Sequence, residues 1–160
     1  MAELICDTST LLALHQIGRL DLLRSLSGNV SIPAAVHQEL ENGRLLGHDV
    51  PDATSLSWMT VRTPTATPTL PNASRLGPGE CEVLWLAHET PGSVAVLDDE
   101  PARRTAAALG IACSGTLGLL IDAKRHGLVA VVAPLLDDLQ RNNFHVSRQL
   151  RDVVLRAAGE

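Results

Sequence analysis

The sequence predicts an α/β fold, a three-layer α/β/α arrangement around a short, mostly parallel central sheet. Short apolar runs alternate with stretches of helical spacing along the chain, the pattern of a parallel sheet covered on both faces. The run "SVAVL" at 93 to 97 is unbroken, as a strand buried on both faces should be. With 160 residues, 45% of them apolar, the chain is long enough for one domain over 1–160 with a core of its own.

Taken in order, "ELICD" is an apolar run that stops at Asp7, and "TSTLLALHQIG" follows with helix-starting hydroxyls and apolar spacing at Leu11, Leu12, Leu14 and Ile17 before Gly18. "DLLRSLSG" predicts a short helix capped by Asp21 and closed by Gly28. "NVSIP" predicts a second strand running into Pro33 at a helix start. In the helix "PAAVHQELENG", Val36 and Leu40 lie at i, i+4, so Glu39 flanks the apolar stripe and can face a shared interior.

Residues 44 to 57 are mixed and read as a short helix, and "WMTVRT" alternates as a strand does. "PTATPTLPNASRLGPG" is a Pro/Thr-rich surface loop, too short to mark a domain boundary. "GECEVLWLAHE" is helical with Val83, Leu84 and Ala87 on one face, "SVAVLDD" is the central strand, and "EPARRTAAALG" is the next helix. "IAC" is a final short strand, followed by three helical patterns punctuated by Gly127, Pro134 and Ser147.

Composition excludes several classes. Trp58, Trp85 and Phe144 are the only aromatic residues, too few for a platform that stacks single-stranded bases. Cys6, Cys81 and Cys113 are odd in number, with no C-x-x-C pair, which argues against a disulfide framework or zinc ribbon and for a reduced, cytoplasmic setting. "MAELICD" has no basic region before an apolar signal core, and no membrane-spanning run occurs. Among six histidines, "HQELE" is not H-E-x-x-H and no pair sits one helical turn apart, so a zinc site is not expected.

The acids carry the functional signal. In an open parallel sheet ligands bind at the carboxyl ends of strands, where Asp7 and the pair Asp98-Asp99 fall. Glu39 and Glu80, in the helices after the second strand and the Pro/Thr loop, can join them. Five gathered carboxylates repel unless cations neutralise them, and the economical neutralisers are Mg²⁺ or Mn²⁺, hard ions that prefer oxygen. Of the 18 Asp and Glu, setting these five aside leaves 13 against 13 Lys and Arg, so the net charge of −5 matches an acidic pocket. Each acid also has a structural reading. Asp7 before "TST" suits a helix cap, Glu80 complements a helix dipole, and Glu39 suits a solvated helix face. Asp98-Asp99 at the end of a buried strand is harder to explain without a ligand.

These residues resemble the PIN-domain ribonucleases, and within them the VapC-like toxin branch with GPGE and DD-x-x-A-R motifs. The likeness runs through "ICDTSTLLAL", "IPAAVHQEL", "LGPGECEVLWLA", "VLDDEPARRTAAALGI" and "GTLGLLIDAKRHGLV". It implies a PIN-like fold whose acidic pocket holds one or two Mg²⁺ or Mn²⁺ ions and hydrolyses RNA phosphodiesters. Asp7, Glu39, Glu80 and either Asp98 or Asp99 would be the metal-binding, catalytic acids, with Ser9 as the small hydroxyl accompanying the first. Many PIN domains carry Asp at the third position and T-x-D at the last; here they are Glu80 and L-D-D, which leaves open which of Asp98 and Asp99 ligates metal. The resemblance also implies a small antitoxin protein covering the pocket, and a homodimer.

The chemistry fits such a pocket, because hard divalent cations activate water and stabilise a leaving oxygen without a side-chain nucleophile. Arg103, Arg104, Lys124 or Arg125 could hold phosphate, although Arg103 is equally placed for a salt bridge to Asp99. Thr116 in "SGTLG" could bond a pocket acid, but a helix cap is the simpler expectation. The net charge argues against a broad basic groove for RNA. A haloacid-dehalogenase-like phosphatase needs D-x-D, and Ser9 stands at its second acid. "GPGE" is not a dinucleotide fingerprint. A non-catalytic PIN-like module binding RNA or protein is the other alternative.

Overall fold

The computed structural model describes residues 2–160. Strands β1 (Leu4–Cys6), β2 (Val30–Pro33), β3 (Met59–Arg62), β4 (Val94–Val96) and β5 (Cys113–Ser114) form one parallel sheet in the order β3-β2-β1-β4-β5. Leu4 pairs with Val30 on one side and Val94 on the other, and Cys6 pairs with Val96. Every residue of β1 and β2 is buried, which is why the sequence shows continuous apolar runs there rather than alternation. At the edge, β3 buries only Met59 fully.

Among the described residues eight α-helices flank the sheet: α1 (Thr8–Gln16), α2 (Asp21–Leu26), α3 (Ala34–Leu45), α4 (Pro78–Glu89), α5 (Glu100–Ala108), α6 (Thr116–Arg125), α7 (Ala133–Arg141) and α8 (Arg148–Ala157). Helix α4 packs on β1, β2 and β4 and touches α3 and α5, while α6 packs against both α2 and α8. The resulting three-layer α/β/α fold is the one the sequence predicts. A continuous apolar cluster links the layers, with Ile5, Ile32, Leu84, Leu86, Leu97 and Leu120 among its fully buried side chains. No helix among the described residues is long and apolar enough to cross a membrane.

Three local expectations are corrected. Residues 44 to 57 hold no separate α-helix; α3 runs on to Leu45, and a single 3₁₀ turn occupies Ala53–Ser55. Asp21 is not a cap: Leu20 holds that position without a side-chain bond, and Asp21 sits in the first turn of α2, where its charge suits the dipole. The last strand starts later than "IAC". Gly110, at φ 69°, lets the Ile111 amide donate back to Ala106 O at 2.9 Å and close α5, so pairing begins only at Cys113. The Pro/Thr segment is exposed but fastened, because Leu70 is buried, Trp85 Nε1 donates to Pro68 O at 2.8 Å and Ala73–Arg75 forms a 3₁₀ turn.

A hydrogen bond at the start of α3 helps tie it to α4. Glu82 of α4 accepts the Ala35 amide at 2.7 Å, satisfying a donor at the start of α3, where Pro33 as N-cap offers no side-chain bond. Replacing Glu82 by Ala is expected to cost about 1 kcal/mol and to speed hydrogen exchange at the first amides of α3, measured by chemical denaturation and native-state exchange.

Candidate active site

Chain connections leave β1 and β4 in opposite directions, so the crevice at their carboxyl ends is the natural place for a ligand. Asp7 is the first residue past β1. Its amide donates to Val96 O at 3.2 Å, pinning it to the end of β4. Its Oδ1 accepts the Thr10 amide at 2.9 Å and caps α1. Its Oδ2 is buried without a hydrogen-bond partner. Burial pushes the Asp7 carboxyl up to about 7; the Thr10 amide opposes that rise, and the charge of Asp98 adds to it.

Asp98 is held differently. Its Oδ1 accepts the Thr116 amide at 2.8 Å, and its Oδ2 accepts Thr116 Oγ1 at 2.6 Å and Thr10 Oγ1 at 3.2 Å. Thr10 therefore bridges the two strand-end acids, with its amide on Asp7 and its hydroxyl on Asp98. Thr116 bonds a pocket acid instead of capping α6, whose cap position is taken by Gly115. Asp99 caps α5, accepting the Ala102 amide on Oδ2 at 3.0 Å. Arg103 makes no ion pair with Asp99; its Nη1 donates to Leu97 O at 3.2 Å.

The two glutamates arrive from helices. Glu39 of α3 accepts the Gly79 amide at 3.1 Å and the Thr8 hydroxyl. Gly79 is needed there, because a Cβ would stand 2.7 Å from Glu39 Oε1 and 3.1 Å from Val36 Cγ2. Glu80 reaches back to the Gly77 amide at 2.8 Å; Gly77 has no side chain to return the bond, so half of a capping box forms. Desolvation raises the Glu80 carboxyl, the Gly77 amide opposes this, and Asp99 and Glu39 raise it further.

Asp7, Thr8, Ser9, Glu39, Gly79 and Glu80 line one cleft of about 100 Å³. Asp98 lies on the wall of a neighbouring groove of about 430 Å³, joined to the cleft through Thr10. Asp99 lines neither, although its charge reaches Glu80. The cleft lining holds no histidine, cysteine or lysine among the described residues. Its donors are carboxylate and hydroxyl oxygens, the set a hard divalent cation takes, and Asp7 Oδ2 is an oxygen still lacking a partner. Among the described residues no three His, Cys, Asp or Glu side chains converge closely enough to hold an ion as they stand, because each acid is drawn aside by its own donor. The donors Thr8, Thr10 and Gly79 and the acceptor Glu82 were not singled out from sequence. "DTST" reads equally well as a plain helix start, and the Gly79 and Glu82 contacts join positions 40 and 47 residues apart.

The model of the family DUF3368, described as a PIN domain, matches residues 3–160. No curated protein matches the chain. A solved structure, that of a PilT N-terminus domain protein from the hyperthermophilic archaeon Sulfolobus solfataricus, shares the fold with a TM-score of 0.56 at 17% sequence identity, over 76% of this chain and 92% of that one.

Asp7 generates a stability prediction. Its folded pKa of about 7 lies above the ordinary 3.8, so its contribution is fully present below pH 3.8 and is lost as pH rises through 7. In EDTA at pH 8, Asp7→Asn is expected to raise stability by about 2 kcal/mol, roughly 4–8 °C at this size. Thermal melts should show that gain shrink as pH falls toward 4.

Proposed function

The chain belongs to the PIN-domain family, and from that membership we propose that it is a metal-dependent ribonuclease hydrolysing RNA phosphodiester bonds, acting as a single domain over 1–160. PIN domains are generally nucleases that use divalent metal ions. The observation that carries the reading here is Asp7, a buried carboxylate with an unpartnered oxygen in a cleft it shares with Glu39 and Glu80. A carboxylate left in that state is costly unless a proton or a cation neutralises it.

Asp7, Glu39 and Glu80 would hold Mg²⁺ or Mn²⁺, with Asp98 completing the set from the adjoining wall. Asp99, already engaged as the cap of α5, contributes charge close to Glu80. A bound ion of this kind supplies activated water and stabilises the leaving oxygen of the phosphodiester. The protein's own part is orientation. Thr10 and Thr116 fix the rotamer of Asp98, and Thr8 and Gly79 fix that of Glu39. Ser9 lines the cleft beside Asp7 and offers a hydroxyl to a substrate oxygen. Arg103, which lines the neighbouring groove with Asp98, would be a cation for phosphate.

A non-catalytic PIN-like module draws on one observation, that each acid is engaged by a protein donor and no three converge. Cleavage assays on structured and single-stranded RNAs decide between the two. We expect cleavage with Mg²⁺ or Mn²⁺, none with EDTA, and a loss of more than about 100-fold in Asp7→Asn. A chain that binds RNA yet leaves every RNA intact with both metals would establish the module instead.

Gly79→Ala, which pushes Glu39 aside, is expected to weaken Mn²⁺ binding about tenfold by calorimetry while the fold persists by circular dichroism. The chain's size and its GPGE and DD-x-x-A-R motifs also lead us to propose a toxin held inactive by a small antitoxin. Expression without a partner should then arrest growth, and Asp7→Asn should relieve the arrest; unimpeded growth would remove the toxin role and leave the nuclease.

A further inference from the structure

Next to the acid cleft, across Asp98 and Thr10, lies a groove of about 430 Å³, a volume within the range of small-ligand sites. It is lined by Asp98, Arg103, Ser114, Gly115, Phe144 and His145, with apolar Leu117 and Leu150. Its walls come from α5, β5, the start of α6 and the α7–α8 connection, so distant stretches of chain meet there.

Arg103 is set rather than loose. Its Nη1 donates to Leu97 O at 3.2 Å and lies against Gly115, where a Cβ would stand 2.7 Å from Nη1 and 2.8 Å from Asp98 Oδ1. It forms no ion pair with a carboxylate among the described residues, and the rest of its fork is available. The two acids on the rim are already engaged, Asp98 by Thr116 and Thr10 and Glu100 by Arg104 at 3.1 Å. On the opposite side Asn143 adopts φ 65° after α7, and the Phe144 amide closes back on Leu139 O at 3.0 Å. That turn carries Phe144 and His145, the chain's one phenylalanine and an adjacent imidazole, to the groove.

A planar guanidinium with spare donors, an imidazole, an aromatic ring and apolar flanks match a phosphate joined to a flat base. We propose that this groove binds a nucleotide of the substrate, the one adjoining the phosphodiester at the acid cleft, with Arg103 and His145 on its phosphate and Phe144 against its base. The proposal rests on the nuclease reading for its place in the reaction. Asp98 joins the two sites, since it lines the groove and is bridged through Thr10 to Asp7.

The experiment titrates the whole protein in EDTA with each of the four ribonucleoside 5′-monophosphates, following the ring resonances of Phe144 and His145 by NMR. Saturable shifts at both residues are expected with at least one nucleotide and not with its nucleoside. Arg103→Gln should weaken binding by about tenfold and Arg103→Lys by less, with circular dichroism showing both variants folded. Shifts that miss Phe144 and His145, or equal affinity in Arg103→Gln, overturn the groove assignment. Because no metal is present, nucleotide binding in a chain that cleaves no RNA would sink the nuclease alone. Cleavage with an unaltered KM in Arg103→Gln would sink the groove alone.

Discussion

A carboxylate buried at the seam between two parallel strands is the constraint on which the site depends. Asp7 is 2% exposed, its amide is committed to β4, and its Oδ1 is committed to α1. Shifting β1 by one residue against β4 would turn Asp7 to the other face and break the Thr10 bridge to Asp98 with it. The register Cys6 with Val96 thus sets the sheet and the site together. That coupling explains how strands of three and two residues can be positioned so definitely: their ends are tied by side chains as well as by the ladder.

Like charges gathered at the sheet's end are tolerated because helix starts converge on them. Asp7 caps α1, Asp99 caps α5, Asp98 takes the first amide of α6, and Glu80 bonds the amide preceding α4. Each of these ends carries partial positive charge and unsatisfied N–H donors. The structural and chemical readings of these acids are therefore not rivals. The oxygens that complete the helices are held at one end of the sheet, and only Asp7 Oδ2 is left buried and unanswered among them. A cation entering there would replace a missing partner rather than disrupt an existing one.

The negative net charge and the absence of an aromatic platform are consistent with recognition by a few local groups instead of a basic surface. On the proposed nuclease reading, affinity for a polyanion would depend on neutralising the acids and on a positioned guanidinium such as Arg103. Its neighbour Arg104 is spent on an i, i+4 pair with Glu100, so two adjacent arginines of one helix take up different work.

Much was legible in the sequence by itself. The alternation of apolar runs with helical spacing determined the three-layer class, because strands buried on both faces cannot hide their composition, and strand-end acids marked the sheet's carboxyl end as the candidate site. The 3₁₀ turn at Ala53–Ser55, the late start of β5 after Gly110 and the demotion of Asp21 from cap to first turn depended on hydrogen bonds that short-range patterns underdetermine. Tertiary structure alone decided how the five acids divide. Asp7, Glu39 and Glu80 share a cleft, Asp98 lies on the next wall and Asp99 ends as a helix cap. Nothing in "LDD" could separate its two carboxylates, because their difference comes from Thr10 and Thr116, which stand 88 and 18 residues away from Asp98 along the chain and meet it only once β1, β4 and β5 have paired.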